Sequence, residues 1–402
     1  MKIAIVTKNA MHGGVESLIS LHQKILYAEV FVAGGYNYPD TCPFKYKYID
    51  TMDQLLNQLK GFDVISYHWP PDWAVEAIKM SGIPCVETVH RVDTATCDKT
   101  VPTKVVVHSE FLRDFILKTY GIYSEVIHNA IDVDSFPDNP RGKLIGGLTS
   151  YYDTKGIDLF ILAWCEVGKK YPDVKARFYG AGNDLAKYQK MITDMGLKNI
   201  ELMGPTSTPQ ECLKNFALFV APSRIEGMPV AILEALASNI PVLCSNLDGM
   251  IEFNELARKR GFNEPLTLHK TEDVTDLINK LEVKLELKTK ANTREYIEKY
   301  FNAKIHCDKL KNVLQEAIQV HSLHSGHYRT TGLELSPWVL ETIHQTLLQL
   351  SVIRETRTFK VAEFLRKTKC ILSGRKENCD VDILSPIEQN LKHIKTKLDL
   401  KR

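Results

Sequence analysis

The stretch RIEGMPVAILEALA, Arg224 to Ala237, decides how the chain is read. Before it stands ALFVAPS, an apolar run that reads as a buried strand ending at Pro222-Ser223. Gly227 and Pro229 punctuate the turn that follows. Pro229 suits a first helical position, so the spacing predicts a helix beginning there. Strand, tight turn and helix in that order are the unit of a parallel α/β sheet. Two carboxylates, Glu226 and Glu234, bracket the most core-like segment. A buried carboxylate is costly unless something pairs with it.

Working outward, the same rhythm runs through most of the chain. KIAIVT, EVFVAG, DVISYH, PCVETVH and KVVVHS read as strands, separated by helical spacings such as VESLISLHQKIL and EFLRDFILKTYG. VIHNAIDVDSFPDNPRGK breaks the rhythm, which places a linker near Ser135 to Arg141. Alternation then restarts, from KLIGGLTS and GIDLFILAWCEVGKKY to PVLCSN, and runs to about Asn302. The expected organisation is a Rossmann-like domain over 1–135, a second over 136–302, a closing helix over 303–320 and a helical, basic extension over 321–402. Two such sheets facing each other make a cleft at their carboxyl ends, where these folds take ligands.

That cleft and the opening stretch together suggest a ligand. The amides of Met228, Val230 and Ala231 at a helix start form an anion site. Eight residues of helix would hold Glu226 and Glu234 roughly 12 Å apart, too far for a close acid pair. They fit a long molecule that is anionic in its middle and hydroxyl-rich at both ends, which is the shape of a sugar nucleotide.

Bulk properties narrow the alternatives. A chain of 402 residues exceeds one ordinary core. A formal net charge of +2 gives no global signal for nucleic acid. Nine cysteines, an odd number without a Cys-x-x-Cys pair, indicate neither a disulfide framework nor a zinc site. MKIAIVTKNA is apolar too early and too briefly for a signal peptide, and no run approaches the roughly 20 apolar residues of a membrane span. These features point to a reducing, cytoplasmic setting.

Glu226, seven residues, then Glu234 resembles the Glu-x7-Glu signature of retaining GT-B glycosyltransferases of family 4. HGGVES, VIHNAIDVDSF, TKGIDLFILA, RFYGAGND and ALFVAPSRIEGMPVAILEALASNIPVLCSNLDGMIE follow that family's pattern, in its order, over about residues 1–320. The resemblance implies a GT-B fold and transfer of a sugar from a nucleoside-diphosphate sugar to a hydroxyl acceptor, a growing glycan or glycolipid. Glu234 would hold the ribose hydroxyls. Glu226 would lie beside the transferred sugar, with Gly227, Met228, Pro229 and Val230 near sugar and diphosphate. Lys155 would neutralise charge on the departing diphosphate. Gly13, Gly14 and Gly180 would let the donor approach the backbone, and His90 would face the reacting sugar. The donor is a substrate, and no cofactor or metal is expected, because the helix start and Lys155 stand in for a cation.

Four departures accompany the match. Ala130 and Asn239 stand where the family usually has glycine, and an expected arginine five residues before Lys155 is replaced in the Ser150 region. The N-terminal domain is also short. Two rival readings follow: a sugar-nucleotide epimerase of the same fold, and an inactive scaffold that binds a nucleotide sugar. Trp69 and Trp73, in HWPPDW, are candidate acceptor surfaces. HSLHSGH, with His321, His324 and His327, reads as part of a polar connector. Residues 336–369 are amphipathic and basic, suited to peripheral contact with an anionic membrane; packing on the chain's own catalytic body, or an oligomer contact through the C-terminal helices, is the alternative use of those faces.

Overall fold

The computed structural model describes residues 1–327, apart from 12, 36, 93–100, 137, 139–141 and 288–290. The amphipathic segment over 336–369 lies outside the described residues. Seven strands, β1 (Ile3–Thr7), β2 (Glu29–Ala33), β3 (Lys47–Ile49), β4 (Val64–His68), β5 (Cys85–Val89), β6 (Lys104–Val107) and β7 (Ser124–Val126), form one parallel sheet in the order β3-β2-β1-β4-β5-β6-β7. Its helices are α1 (Gly14–Leu26), α2 (Met52–Leu59), α3 (Asp72–Met80) and α4 (Glu110–Tyr120). Six more strands, β8 (Leu144–Leu148), β9 (Lys175–Tyr179), β10 (Ile200–Met203), β11 (Phe216–Ala221), β12 (Val242–Ser245) and β13 (Leu266–His269), form a second parallel sheet in the order β10-β9-β8-β11-β12-β13. With it go α5 (Ile157–Lys170), α6 (Leu185–Asp194), α7 (Pro209–Leu213), α8 (Val230–Ala237), α9 (Asp248–Lys259), α10 (Val274–Leu287) and α11 (Arg294–Tyr300).

Each sheet is buried on both faces, which is why its strands read as continuous apolar runs. In β1, Ile3 and Ile5 join one apolar cluster while Ala4 and Val6 join the other, the period of two that a pleated strand imposes. The last helix, α12 (Ala303–His327), returns to the first sheet and buries Leu310, Val313, Leu314 and Ala317 against it. It runs through the HSLHSGH segment, where a connector was expected. Gly326 is tolerated because helix interiors accept a single glycine at a modest cost.

Both strand orders reverse direction at one point, between β1 and β4 and between β8 and β11. At such a switch point the connections leave to opposite faces and open a crevice. The loop after β1 carries Gly13, that after β8 carries Lys155, and that after β11 carries Glu226. Two departures from the family pattern find a backbone reason. Asn239 adopts φ 53°, a left-handed conformation that asparagine tolerates. Its side chain then bonds the amides of Thr293 and Arg294 at 2.8 and 2.9 Å and Asp138 at 2.6 Å. Ala130 is buried and is not among the residues with positive φ, so its position makes no demand for glycine.

Candidate functional site

A cleft of about 580 Å³ is lined from both sheets. From the first come Gly13, Gly14, His90 and Arg91; from the second come Lys155, Gly180, Glu226, Gly227, Met228, Pro229, Val230 and Glu234. The amino ends of two helices meet there: a Cβ built on Gly14, at the start of α1, would lie 3.5 Å from Val230, at the start of α8. First-turn amides have no helical acceptor, and the helix dipole adds positive potential, so their meeting point favours an anion. Pro229 is the residue before the helix, with ψ 126°, and not its first helical residue; α8 begins at Val230. Glycine is required where the backbones crowd: a Cβ on Gly227 would lie 2.4 Å from the carbonyl oxygen of His90, and one on Gly180 would lie 1.6 Å from that of Thr149.

Lys155 ends a short turn, Asp153–Lys155, closed by Gly156 at φ 64°. A Cβ on Gly156 would lie 1.9 Å from the Pro222 carbonyl oxygen, so this turn is pressed on the end of β11. Arg224 braces the arrangement. Its amide donates to Thr154 at 2.8 Å, and its guanidinium grips Asp158 through two bonds of 2.8 and 2.7 Å. Lys155 Nζ consequently sits 2.6 Å from Glu226 Oε1, which also accepts from Ser223 Oγ at 2.9 Å. The two residues given separate tasks from sequence are thus bonded to each other.

Glu234 answers the question that the two glutamates raise. Its side chain is only 6 % exposed, lines the cleft, and meets no hydrogen-bond or ion-pair partner among the described residues. Burial pushes its carboxyl up to about 7. A carboxylate left bare at a cavity wall is suited to accept bonds from ligand hydroxyls.

His90 lies on the cleft but its ring is not free. His108 Nδ1 must donate to the Ile127 carbonyl oxygen, 2.8 Å away. His108 Nε2 then accepts from His90 Nδ1 at 3.1 Å, and His90 Nε2 accepts from His68 Nδ1 at 2.9 Å. Trp69 and Trp73 do not line the cleft. Trp69 is 49 % exposed at the end of β4, with φ 47° and Lys8 Nζ 4.7 Å from the ring centroid, whereas Trp73 packs towards Gly34. Sequence reading missed Arg91 and Asn129, which line the cleft; Asn129 donates to the Met228 carbonyl oxygen at 2.6 Å. Both adjoin quoted motifs, and their polarity beside a strand end or linker was the available signal. Ser150, in the stretch lacking the expected arginine, lines the cleft.

The buried histidines give the fold a pH dependence. Burial pulls His68 and His108 down to about 3 and His306 to about 4, and pulls His22 and His90 well below 6.5. Burial also pushes Glu16 and Glu234 up to about 7. Burial lowers His269 as well. Below pH 6.5 the unfolded chain binds protons on six imidazoles more readily than the native state does, against two carboxyl protons that the native state holds. Stability is therefore expected to fall as pH drops from 7 to 5, by about tenfold in the folding equilibrium per net proton and pH unit. Melting in matched buffers checks this, and a midpoint that holds or rises over that range would contradict it.

The fold and cleft define a class, two facing parallel α/β sheets with two helix amino ends converging at the switch points. Residues 142–286 match the family "Glycosyl transferases group 1" and residues 20–135 match "Glycosyltransferase Family 4". The chain belongs to the group 1, family 4 glycosyltransferases, with the GT-B fold. It is 34% identical over 181 residues, 44% of this chain and 36% of the relative, to poly(ribitol-phosphate) alpha-N-acetylglucosaminyltransferase of Staphylococcus aureus strain COL. It is 36% identical over 136 residues, 33% of each chain, to the Escherichia coli UDP-Gal:alpha-D-GlcNAc-diphosphoundecaprenol alpha-1,3-galactosyltransferase. The chain thus spans about a third of the length of these curated relatives. Among solved structures, HepE of Anabaena in complex with UDP and glucose aligns with TM-score 0.67 at 15% identity, covering 78% of this chain and 99% of that one. No helix among the described residues is long and apolar enough to cross a membrane.

Proposed function

We infer that the protein is a retaining glycosyltransferase that moves a hexosyl or pentosyl group from a nucleoside-diphosphate sugar to a hydroxyl of a growing glycan or lipid-linked acceptor. The observation that carries this reading is Glu234: a buried, unpartnered carboxylate on the wall of a cleft where two helix amino ends converge. In this reading Glu234 accepts from the ribose hydroxyls. The diphosphate lies against the first turns of α1 and α8, which need no mobile ion to offset part of its charge. Lys155 exchanges part of its contact with Glu226 for the departing phosphate, and Glu226, released on that side, faces the transferred sugar. Uridine diphosphate is the nucleotide that the neighbours' names favour, since HepE holds UDP and the E. coli relative uses UDP-Gal. Retention follows from front-face substitution, in which a donor phosphate oxygen takes the acceptor's proton and the protein positions groups and stabilises leaving-group charge. Trp69, exposed at the carboxyl end of β4, offers the acceptor an aromatic face outside the donor cleft.

A thermal-shift panel of uridine, guanosine, adenosine and thymidine diphosphate sugars tests this, because a ligand that binds only the folded chain raises its midpoint. At 100 times its Kd a donor adds about 2.7 kcal/mol. The bound donor should release its nucleoside diphosphate faster when a hydroxyl acceptor is added. A panel in which no nucleotide sugar shifts the midpoint would end the reading.

A further inference from the structure

Three neighbouring strands of the first sheet each finish at a histidine: His68 closes β4, His90 follows β5 and His108 follows β6. Their rings stand in a row, with centroids 5.2 Å apart for His68 and His90 and 4.8 Å for His90 and His108. The row has a fixed proton direction. A carbonyl oxygen can only accept, so the 2.8 Å contact with Ile127 places a proton on His108 Nδ1. Neutral His108 then presents the Nε2 lone pair to His90 Nδ1–H, and neutral His90 presents its own to His68 Nδ1–H. Ser66 Oγ ends the row 3.4 Å from His68 Nε2. Protonating His90 or His108 sets an N–H against an N–H and breaks a link, whereas a proton on His68 Nε2 would meet the Ser66 hydroxyl, which can accept it.

Every ring nitrogen of His90 is therefore committed within the protein, and what His90 offers the cleft is its main chain. Its carbonyl oxygen is where the first half of the chain crowds Gly227, the residue that opens the anion-binding turn. The groups whose charge bears on the row are His22 of α1, His306 of α12 and His128 ahead of the linker. His22 and His306 bond to each other through their Nε2 atoms at 2.9 Å, and His306 Nδ1 donates to the His128 carbonyl oxygen at 2.8 Å. The His22 ring lies 5.7 Å from that of His68. The imidazoles thus run contiguously from α12 to the cleft.

We propose that His68 and His108 are positioning residues: they lock the His90 ring as the neutral Nδ1–H tautomer and thereby hold the His90 main chain in its close approach to Gly227. The proposal rests on the transferase reading for its effect on turnover, but not for the tautomer. Long-range ¹H–¹⁵N spectra of the full-length, histidine-labelled protein measure the latter directly. His68, His90 and His108 should each show a protonated Nδ1 and a bare Nε2 that do not titrate between pH 8 and 5.5. In His108→Phe the His90 ring should titrate near its ordinary range. With the best nucleotide sugar of the panel, kcat should fall about tenfold while the donor KM stays within about twofold, as expected for a displaced group at the reacting end. His108→Gln, which offers an amide oxygen to His90 Nδ1, should restore most of the loss.

A protonated Nε2 on His90 in the unsubstituted protein, or a His90 that titrates there near 6.5, would overturn the proposal. So would an unchanged kcat in a folded His108→Phe protein. If no nucleotide sugar is cleaved at all, the transferase reading fails by itself, and the spectra of the unsubstituted protein still decide the tautomer. If His108→Phe does not fold, His68→Asn, which keeps a donor towards His90 Nε2, should hold the tautomer and kcat; loss of either with the fold intact counts against the row.

Discussion

Lys155→Ala should lower the turnover of a nucleoside-diphosphate sugar by about a hundred- to a thousandfold, the usual effect of deleting one preorganised donor at a developing negative charge. Two consequences of the geometry act in the same direction. The ammonium is placed by a turn that Gly156 presses against the Pro222 carbonyl and that Arg224 ties down, so its position is set by the backbone beneath it. Removing it also leaves Glu226 with Ser223 as its hydrogen-bond partner, a half-buried carboxylate facing an incoming diphosphate. Lys155→Arg keeps the charge but replaces a point ammonium with a planar fork, and should recover only part of the rate. Nucleotide release under saturating donor is the measurement. A loss of less than about threefold would remove Lys155 from the leaving-group role.

Glu234→Leu should move stability and binding in opposite directions. An unpartnered buried polar group costs about 1–3 kcal/mol, and an apolar side chain of similar size removes that cost. The ligand-free variant should melt a few degrees higher. It should also lose the midpoint rise that nucleotide sugars give the unsubstituted protein, because nothing remains to receive the ribose hydroxyls. The gain has a pH signature. Its usual value is 4.5 and burial raises it to about 7, so the folded chain holds this proton more tightly than the unfolded one. The native contribution is full below pH 4.5 and fades as pH rises to 7, so leucine should stabilise more at pH 8 than at pH 5. A variant that melts lower at pH 8 would mean that Glu234 has a partner within the protein.

What the sequence made legible was whatever repeats locally. Strand–helix alternation announced two parallel sheets, because a strand buried on both faces writes a continuous apolar run whatever its neighbours are. The glycines between strand and helix, Gly13, Gly14, Gly180 and Gly227, were readable for a similar reason: each lies past the end of a strand and no further than the first residue of the next helix. Of the histidine row only the endings were readable, three strands that each finish at a histidine; the ring contacts were not. They join residues 22 and 18 positions apart, and only the adjacency of β4, β5 and β6 brings them together. The ion pair of Lys155 with Glu226, 71 positions apart, was hidden in the same way, since it depends on β8 lying beside β11. That Trp69 and Trp73 part company was hidden too: a left-handed Trp69 and a helical Trp73 face different surroundings, which HWPPDW does not disclose. The end of α12 was misjudged because HSLHSGH lacks apolar periodicity.

The chain passes between its two sheets twice, and the two passages touch. Ile131 in the outward passage donates to the Phe301 carbonyl at 3.0 Å, and Ala303 in the return donates to the Ile131 carbonyl at 2.9 Å. A single tether would act as a ball joint, free to swing, twist and slide. Two strands laced side by side behave instead like the leaves of a door hinge, which bends about one line and resists shear. Two joined crossings favour opening and shutting of the cleft over twist or slide, a motion that would keep Gly14 facing Val230.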